Sequence, residues 1–407
     1  MKFFKYILLT VIVTVLVACG GSSSPSNKAP TVNAGKDVTV ERNQEVILTG
    51  TAKDSDGTIK SYVWKKGSKV LSKKASFKYS PVKVGKETLT LTVTDDDGEK
   101  ATDKVVINVL MRPFITKWKV NKNSTNSITI PTFSGEDYNY SVDWGDGKVS
   151  KNQTGNANHS YKDPNKIYTI KIWGQFPRIY FGDGSEEAPE ILSLEQWGDI
   201  EWSSMAKAFK QCNLLKGNAK DTPDLSNVTD MSEMFAGISR FVYDYDYQTR
   251  INSFNQDIGN WDVSNVINMS KLFYLSDFNQ SLSKWDISNV TDMREMFAGF
   301  HEYVDFTEAD AWLDESDIRL VDFPSKFNQD ISSWDISNVT NMQNMFQYGV
   351  LSSFNYSNLL MKWSSLNLQF NVKLGVGTTK YRKDVKVSRD VMISNYSWII
   401  TDGGVIE

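Results

Sequence analysis

The stretch FNQDISSWDISNVTNMQNMF, residues 327–346, decides the fold, because close copies of it come earlier in the chain. Residues 278–297 are FNQSLSKWDISNVTDMREMF, and residues 254–273 are FNQDIGNWDVSNVINMSKLF. A catalytic site needs its residues once. A phrase that recurs along a chain is typical of repeat architectures, in which each copy packs against the next.

Every copy ends in a Met that is followed, four residues later, by a Phe. Without an insertion the Phe positions are 26 residues apart (Phe209 to Phe235) or 24 apart (Phe273 to Phe297), within the range of about 20–29 for leucine-rich repeats. The Met-to-Phe spacing predicts a short helix, and Ile331-x-x-Trp334-x-Ile336 before it predicts a short strand. The five pairs are Met205/Phe209, Met231/Phe235, Met269/Phe273, Met293/Phe297 and Met342/Phe346.

The phrases WDISNVTDM, MFAG and FNQD resemble those of the BspA-type leucine-rich-repeat surface proteins of bacteria. The resemblance covers roughly residues 113–407 and includes the entry segment ILSLEQWGDIEWSSM. It implies a repeat solenoid over 186–353, with insertions near 238–253 and 300–326, and a C-terminal cap over 354–407. It also implies surface exposure and adhesion, and it supplies no catalytic residues.

The N-terminus has the pattern of an export signal. Lys2 and Lys5 precede an apolar run, and the segment ends in Leu-Val-Ala before Cys19, which predicts a signal peptide over 1–18. The ending resembles a bacterial lipobox, in which the cysteine is lipidated, and a flexible tether over 19–28 follows. Gly20 resembles the sorting pattern that permits passage to the outer membrane. The alternative is a plain signal peptide with a chance cysteine.

Two β-sandwiches are expected before the repeats. Leu89, Leu91 and Val93 alternate with threonines, as in half-buried strands, and residues 29–110 resemble a PKD-type domain without its WDFGDG element. Residues 111–185 contain that element as VDWGDG, followed by His-Ser-Tyr at 159–161, and resemble a second, divergent PKD-like sandwich. His159 is then a structural residue near the GDG turn.

Composition indicates a folded, non-catalytic protein that does not bind nucleic acid. Of 407 residues 40% are hydrophobic and 23% charged, and the formal net charge is −4, whereas nucleic-acid binding favours a basic face. With only two histidines, the chain has few side chains that suit acid–base chemistry near neutral pH. No protease, hydrolase, P-loop or CxxC motif occurs, so we expect no enzyme, and Cys212 is expected at a small buried position.

No cofactor and no metal site is predicted. The acidic turns at 54–57 and 95–98 leave one question open, because clustered carboxylates suit Ca²⁺, while Asp and Gly are also good turn formers.

The two insertions are the candidate binding region. Both follow the same phrase, MFAG, so they leave the stack at one edge, and the second carries many acids against a single arginine. Tyrosine and tryptophan provide large contact areas at low entropic cost. The alternative is that the insertions only solvate this edge. The predicted contact residues are Tyr243, Tyr245, Tyr247, Tyr303 and Trp312.

The predicted fold class is mainly β with short helices: two Ig-like (PKD-like) β-sandwiches, then a leucine-rich-repeat-like α/β solenoid with a C-terminal cap. The predicted function is adhesion by a monomeric lipoprotein, anchored through its N-terminal lipid to the outer membrane and surface-exposed, whose partner is a host, matrix or cell-surface protein. Two alternatives stay open: a carbohydrate-binding accessory lipoprotein of a polymer-degradation system, and a structural spacer of the envelope.

Overall fold

The chain divides into two compact units, with the division after Leu110. Both units are rich in strand, and the two α-helices of the described residues both lie near the C-terminus, so the expectation of a mainly β fold is confirmed. The computed structural model describes residues 26–120, 126–182, 190–242, 246–305 and 318–406, and of residues 239–242, 246–250, 302–305 and 318–321 it describes the backbone.

The N-terminal unit is a small β-sandwich around Trp64, which is fully buried. A five-stranded sheet has the order β2-β9-β8-β5-β6, while β1 pairs with β4 and β3 with β7. The alternation predicted for Leu89, Leu91 and Val93 is confirmed, since all three are fully buried on β8. The strands are β1 Thr31–Asn33, β2 Val38–Glu41, β3 Val46–Thr49, β4 Thr51–Lys53, β5 Ile59–Lys66, β6 Lys69–Ser72, β7 Ser76–Tyr79, β8 Gly85–Asp95 and β9 Lys100–Leu110.

The C-terminal unit begins with a six-stranded sheet of order β13-β12-β15-β10-β16-β17. The predicted break near residue 185 is bridged by this sheet, because β10 pairs with both β15 and β16. Phe114 on β10 packs against Trp197 and Trp202 of the first repeat, with ring centroids 5.9 and 5.2 Å apart. The strands are β10 Phe114–Lys119, β11 Ser127–Ile130, β12 Asn139–Asp143, β13 Val149–Gln153, β14 Ala157–Ser160, β15 Ile167–Gln175, β16 Ile191–Gln196 and β17 Lys216–Gly217.

The repeats, numbered 1 to 5 by their Met/Phe pairs, stack in chain order. Parallel β-bridges join Asp230 of repeat 2 to Asn268 of repeat 3, and Asn268 to Asp292 of repeat 4. Their apolar side chains continue the core of the six-stranded sheet without interruption. Two antiparallel hairpins interrupt the stack, formed by β18 Ile238–Val242, β19 Asp246–Arg250, β20 Phe300–Asp305 and β21 Ile318–Phe323.

The short helix predicted between the Met and the Phe of each repeat was wrong. The residue midway between them has a positive φ, for example 54° at Glu233 and 56° at Lys271, which a right-handed helix excludes. Alternate amides donate to the next repeat instead of to i−4: Phe235 N–H bonds to Leu272 O at 3.0 Å. Asp230, just before the Met of repeat 2, forms an Asx turn, since its carboxylate accepts from the N–H of Ser232.

The short strand predicted from Ile331-x-x-Trp334-x-Ile336 was also wrong. Trp334 N–H donates to Ile331 O and Val339 N–H to Ile336 O, at 3.1 and 3.0 Å, so this segment is two successive tight turns. The spacing of the apolar residues did identify the buried positions, since Ile331, Trp334, Ile336 and Val339 are all buried. The repeats are therefore not the predicted α/β units. Each consists of turns and is joined to its neighbours by isolated β-bridges.

The segment predicted as a cap packs against repeat 5. A parallel bridge joins Met342 to Leu374, and Phe346 N–H donates to Gly375 O at 2.9 Å. Ser352 caps the first helix by accepting from the N–H of Asn355. The elements are α1 Ser353–Trp363, β22 Lys373–Gly375, a 3-10 helix Lys383–Val385, α2 Lys386–Tyr396 and β23 Ile399–Thr401, with β22 and β23 parallel.

Candidate binding surfaces

The two hairpins leave the stack at equivalent positions of repeats 2 and 4. Gly237 and Gly299 each stand two residues after the repeat Phe, and each N–H donates to the following repeat, to Tyr274 O at 2.7 Å and to Gln347 O at 2.8 Å. Repeat 3 lies between them. The insertions therefore leave from one edge of the stack, as their shared MFAG phrase indicates.

The predicted contact residues fall on or beyond these hairpins. Tyr247 lies on β19 opposite Phe241, and Tyr303 lies on β20 opposite Leu320; for both, the structure describes the backbone. Tyr243, Tyr245 and Trp312 lie outside the described residues. The aromatic patch therefore stays a prediction.

Further aromatic side chains at the hairpin bases were missed by the sequence analysis. The His301 ring stacks on Tyr348, with centroids 5.0 Å apart and planes at 15°, and Tyr348 is 42% exposed. On repeat 3, the Lys271 ammonium lies 5.3 Å from the ring centroid of Tyr274. Tyr274 and Tyr348 follow a repeat Phe by one and two residues, so their position in the repeat could have identified them.

A ladder of amide side chains forms a second surface, along the turns that the SNV phrases make. The Nδ2 of Asn265 donates to Ser226 O of the preceding repeat at 3.1 Å, and the Nδ2 of Asn289 donates to Ser264 O at 2.7 Å. Asn338 continues the ladder at 2.7 Å. Gln369, beyond the last repeat, completes it by donating to Ser337 O at 2.8 Å.

A shallow groove of about 570 Å³, here called the ladder groove, lies beside these asparagines. It crosses repeats 2 to 4, and its middle residue, Ile267, is 45% exposed. All of its lining side chains are uncharged. They include Asn227, Thr229, Asn265, Ile267, Asn289 and Thr291.

A cleft of about 650 Å³ adjoins the ladder groove, because Asn227 lines both. Phe176 and Trp202 form its buried apolar wall, with ring centroids 6.1 Å apart in an edge-to-face arrangement. Asp199, also on the wall, is held by Arg112, whose Nε donates to its Oδ1 at 2.9 Å. The cleft and the ladder groove are therefore neighbours that share Asn227 in their walls.

Several carboxylates of the acidic turns in the N-terminal unit accept hydrogen bonds from backbone amides, whereas both carboxylate oxygens of Asp54 are buried without a hydrogen-bond partner among the described residues. Asp96 Oδ1 accepts from Thr58 N–H at 2.8 Å, and Asp56 Oδ2 accepts from Lys28 N–H at 3.1 Å. The Thr58 bond lowers the pKa of Asp96. Within the described residues no group of three or more His, Cys, Asp or Glu side chains is placed to hold a metal ion. These contacts are those of turn-forming residues.

His159 packs at the GDG turn, as predicted. Its Nε2 lies 2.9 Å from Asp146 Oδ2, and its ring stacks on Trp144 with centroids 5.0 Å apart. Partial burial acts to raise the pKa of Asp146, but hydrogen bonds from His159 and Lys148 outweigh it and lower that pKa. Cys212 is fully buried, and burial raises the pKa of its thiol. This environment therefore disfavours the reactive thiolate form of the cysteine.

Comparison with known proteins supports the nature of the N-terminal unit. A family model that describes a PKD domain matches residues 34–109. The pre-pro-metalloprotease PrtV of Vibrio cholerae is 42% identical over 64 residues, which are 16% of this chain and 7% of that protein. The N-terminal unit is a PKD-like domain. The chain spans only about 7% of the length of this relative.

Solved PKD domains are similar to the same part of the chain. The PKD1 domain of PrtV is 35% identical, with 20% of this chain and 98% of that chain covered and a TM-score of 0.17. The PKD1 domain of Vibrio anguillarum Epp is 28% identical, with 21% and 99% covered and a TM-score of 0.18. A family model described as "Mycoplasma protein of unknown function, DUF285" matches residues 194–312 and 245–386, which include the repeats.

The predicted lipid attachment site, Cys19, lies outside the described residues. Among the helices that the structure describes, none has the length and apolar character needed to span a bilayer.

Proposed function

We propose that the protein is a non-catalytic bacterial surface lipoprotein of the BspA-type leucine-rich-repeat kind, which binds a host, matrix or cell-surface protein. The observation that supports this most is the placement of both hairpins at one edge of the stack of repeats. A scaffold that repeats the same hydrogen bonds and carries insertions at equivalent positions of repeats 2 and 4 concentrates its sequence-specific surface there.

The chemistry of this edge suits protein recognition. The described aromatic side chains at the hairpin bases are partly exposed, and the predicted ones add tyrosines and a tryptophan, the residue types enriched at binding hot spots. The second insertion is acidic, so a partner with a basic patch would associate faster at low salt. The repeats act as a solenoid that holds the hairpins, and the protein works as a monomer.

A hairpin replacement tests this proposal. Residues 302–321 are replaced by Asn-Gly, which keeps the His301–Asp322 and Phe300–Phe323 pairs and closes them with a tight hairpin turn. A second variant replaces residues 240–248 with Asn-Gly, which removes Tyr243, Tyr245 and Tyr247 and keeps the Ser239–Thr249 pair. Binding to immobilised matrix proteins, including fibronectin, is measured by biolayer interferometry. We expect affinity to fall at least tenfold for the 302–321 variant, which also removes most of the acidic residues of that insertion, and by a smaller factor for the 240–248 variant.

If both folded variants bind as the intact protein does, the hairpin edge is not the binding face. Membrane attachment is tested separately with Cys19→Ala, which should abolish incorporation of radiolabelled palmitate and release the protein into the medium. Protease treatment of whole cells should cut the repeats. Repeats that survive on whole cells but are cut in lysates would contradict surface exposure.

A further inference from the structure

The ladder groove lies on a part of the repeats that the proposed adhesion does not use. The hairpins follow the repeat Phe residues, whereas the groove follows the SNV turns and shares Asn227 with the neighbouring cleft. Its path runs along the stack, so it offers similar groups at each step. Successive repeats are joined by parallel bridges, which sets that step near about 4.8 Å.

The groups presented in the groove are neutral hydrogen-bonding atoms. The Nδ2 atoms of Asn265 and Asn289 donate to Ser226 O and Ser264 O, which fixes both side chains. Their Oδ1 atoms accept no hydrogen bond from the described part of the chain, and both residues are exposed. Thr229 adds an exposed hydroxyl, and Ile267 a flat aliphatic surface. This is a preorganised row of acceptors and hydroxyls around an apolar spot.

The backbone of the groove is already hydrogen-bonded, which disfavours an extended peptide. Ile267 N–H donates to Thr229 O at 2.8 Å, and Thr291 N–H donates to Ile267 O at 2.9 Å. A peptide that adds a strand needs free main-chain groups and pockets for alternate side chains. The ladder groove presents side chains in place of a free sheet edge.

Neighbouring carboxylates disfavour a polyanion. An exposed aspartate stands three residues before each of these asparagines, Asp262 before Asn265 and Asp286 before Asn289. Hydrogen bonds from Ser264 and Ser288 lower the pKa of Asp262 and of Asp286 respectively, so both are ionised at neutral pH. Like charges close to a site reduce the affinity of an anionic ligand.

We propose that the ladder groove binds a single neutral, linear glycan chain that lies along the stack. Sugar hydroxyls donate to the free amide oxygens, and the apolar face of a sugar ring covers Ile267. The repeat-to-repeat step is comparable to the rise per sugar of an extended β-linked chain, so successive sugars meet successive repeats. This function is additional to adhesion at the hairpins and uses different residues.

Affinity electrophoresis of the full chain tests this proposal. Native gels contain hydroxyethylcellulose or mixed-linkage β-glucan as neutral probes and polygalacturonate as the anionic probe. We expect retardation by at least one neutral glucan and none by polygalacturonate. Ile267→Arg places bulk and charge in the middle of the groove and should weaken binding at least tenfold. Val387→Arg, at a 72% exposed aliphatic residue on α2, is the matched control and should change binding less than twofold.

Thr229→Arg is a second groove variant, in case Ile267→Arg fails to fold as judged by circular dichroism. Binding to matrix proteins should be unchanged in both groove variants, so failure here and failure of the adhesion proposal are distinguishable. The glycan proposal is overturned by any of three results: no neutral glucan retards the protein, a folded groove variant is retarded like the intact protein, or polygalacturonate retards the protein more strongly than the glucans.

Discussion

Five phenylalanine rings, one from each repeat, lie in a column through the core of the C-terminal unit. From Phe209 to Phe346 the neighbouring ring centroids are 5.7, 5.8, 5.7 and 5.6 Å apart, and the planes stay within 14° of parallel. Such offset stacking adds about 0.5–1.5 kcal/mol per pair beyond the burial of area. Further rings insert beside the column, such as Phe278, whose centroid lies 4.0 Å from that of Phe273.

Phe273→Ala should lower the free energy of unfolding of the C-terminal unit by about 3–5 kcal/mol, because it leaves a cavity where ring contacts on three sides are lost. Phe273→Leu keeps most of the volume and should cost less. Phe370→Ala, at a 65% exposed phenylalanine, is the control and should change stability by less than about 1 kcal/mol. Urea unfolding followed by tryptophan fluorescence measures all three. Equal effects at 273 and 370 would contradict the role of the column.

At the level of elements, the Met-to-Phe segments show that one spacing of apolar residues is compatible with two backbone conformations, a helix and the non-helical backbone found here. The side chains at i and i+4 face the core, as on a helix. A positive φ midway lets the amides of i, i+2 and i+4 donate to the next repeat, as those of Met269, Lys271 and Phe273 do to repeat 4. The left-handed conformation costs about 1–2 kcal/mol for a residue other than Gly. Several hydrogen bonds between repeats and a buried column of rings offset it.

The turn between β16 and repeat 1 depends on Gly198. Its φ is 71°, and a Cβ there would lie 2.3 Å from Pro113 O. Gly198→Ala should therefore destabilise the C-terminal unit by about 1–3 kcal/mol and lower its melting temperature. Gly155→Ala is the matched control, because no atom lies within 4 Å of a Cβ built there, and it should be neutral or slightly stabilising. Differential scanning calorimetry compares them; an unchanged melting temperature for Gly198→Ala would show that the turn can shift.

At the scale of the molecule, the described residues form two separate cores. Trp64 and the alternating residues of β8 and β9 form one core, and the other runs without a break from β10 to α2. The second sandwich predicted over 111–185 shares its interior with repeat 1, because Phe114 lies against Trp197 and Trp202. Its sheet also takes β16 from beyond residue 185.

Fragments test this arrangement. Residues 26–110 should fold alone, with a dispersed amide spectrum and cooperative thermal unfolding, since they keep their whole core. Residues 111–406 should also fold. Residues 111–185 should not, because a domain deprived of β16 and of the tryptophans against Phe114 loses too much buried area. Two-dimensional NMR and near-ultraviolet circular dichroism distinguish these outcomes. Cooperative unfolding of the 111–185 fragment would show that residues 111–185 form an independent domain that ends at residue 185.

The local pattern of the chain was sufficient for several features of the fold. Alternating residues such as Leu89 and Leu91 predicted the buried face of β8, the recurrence of FNQ and SNV predicted stacked repeats, and the shared MFAG phrase predicted that both insertions leave at one edge. The packing of His159 at the GDG turn followed from the motif. The buried face of β8 depends on which side chains are buried, and the spacing of apolar residues records that directly. The edge of the insertions follows from a shared position in the repeat, and the place of His159 from the resemblance of residues 111–185 to a PKD-like sandwich.

Hydrogen bonds between repeats could be assigned only from the tertiary structure. Whether Phe235 N–H binds i−4 or Leu272 O depends on a neighbour 37 residues away in sequence, and both choices bury the same side chains. The turns in place of helices, the continuous core across residue 185 and the ladder groove all follow from such non-local contacts. Local periodicity specifies which side chains face inward. The hydrogen-bond acceptor of each backbone amide depends instead on which carbonyl groups the stacking of the repeats places beside it.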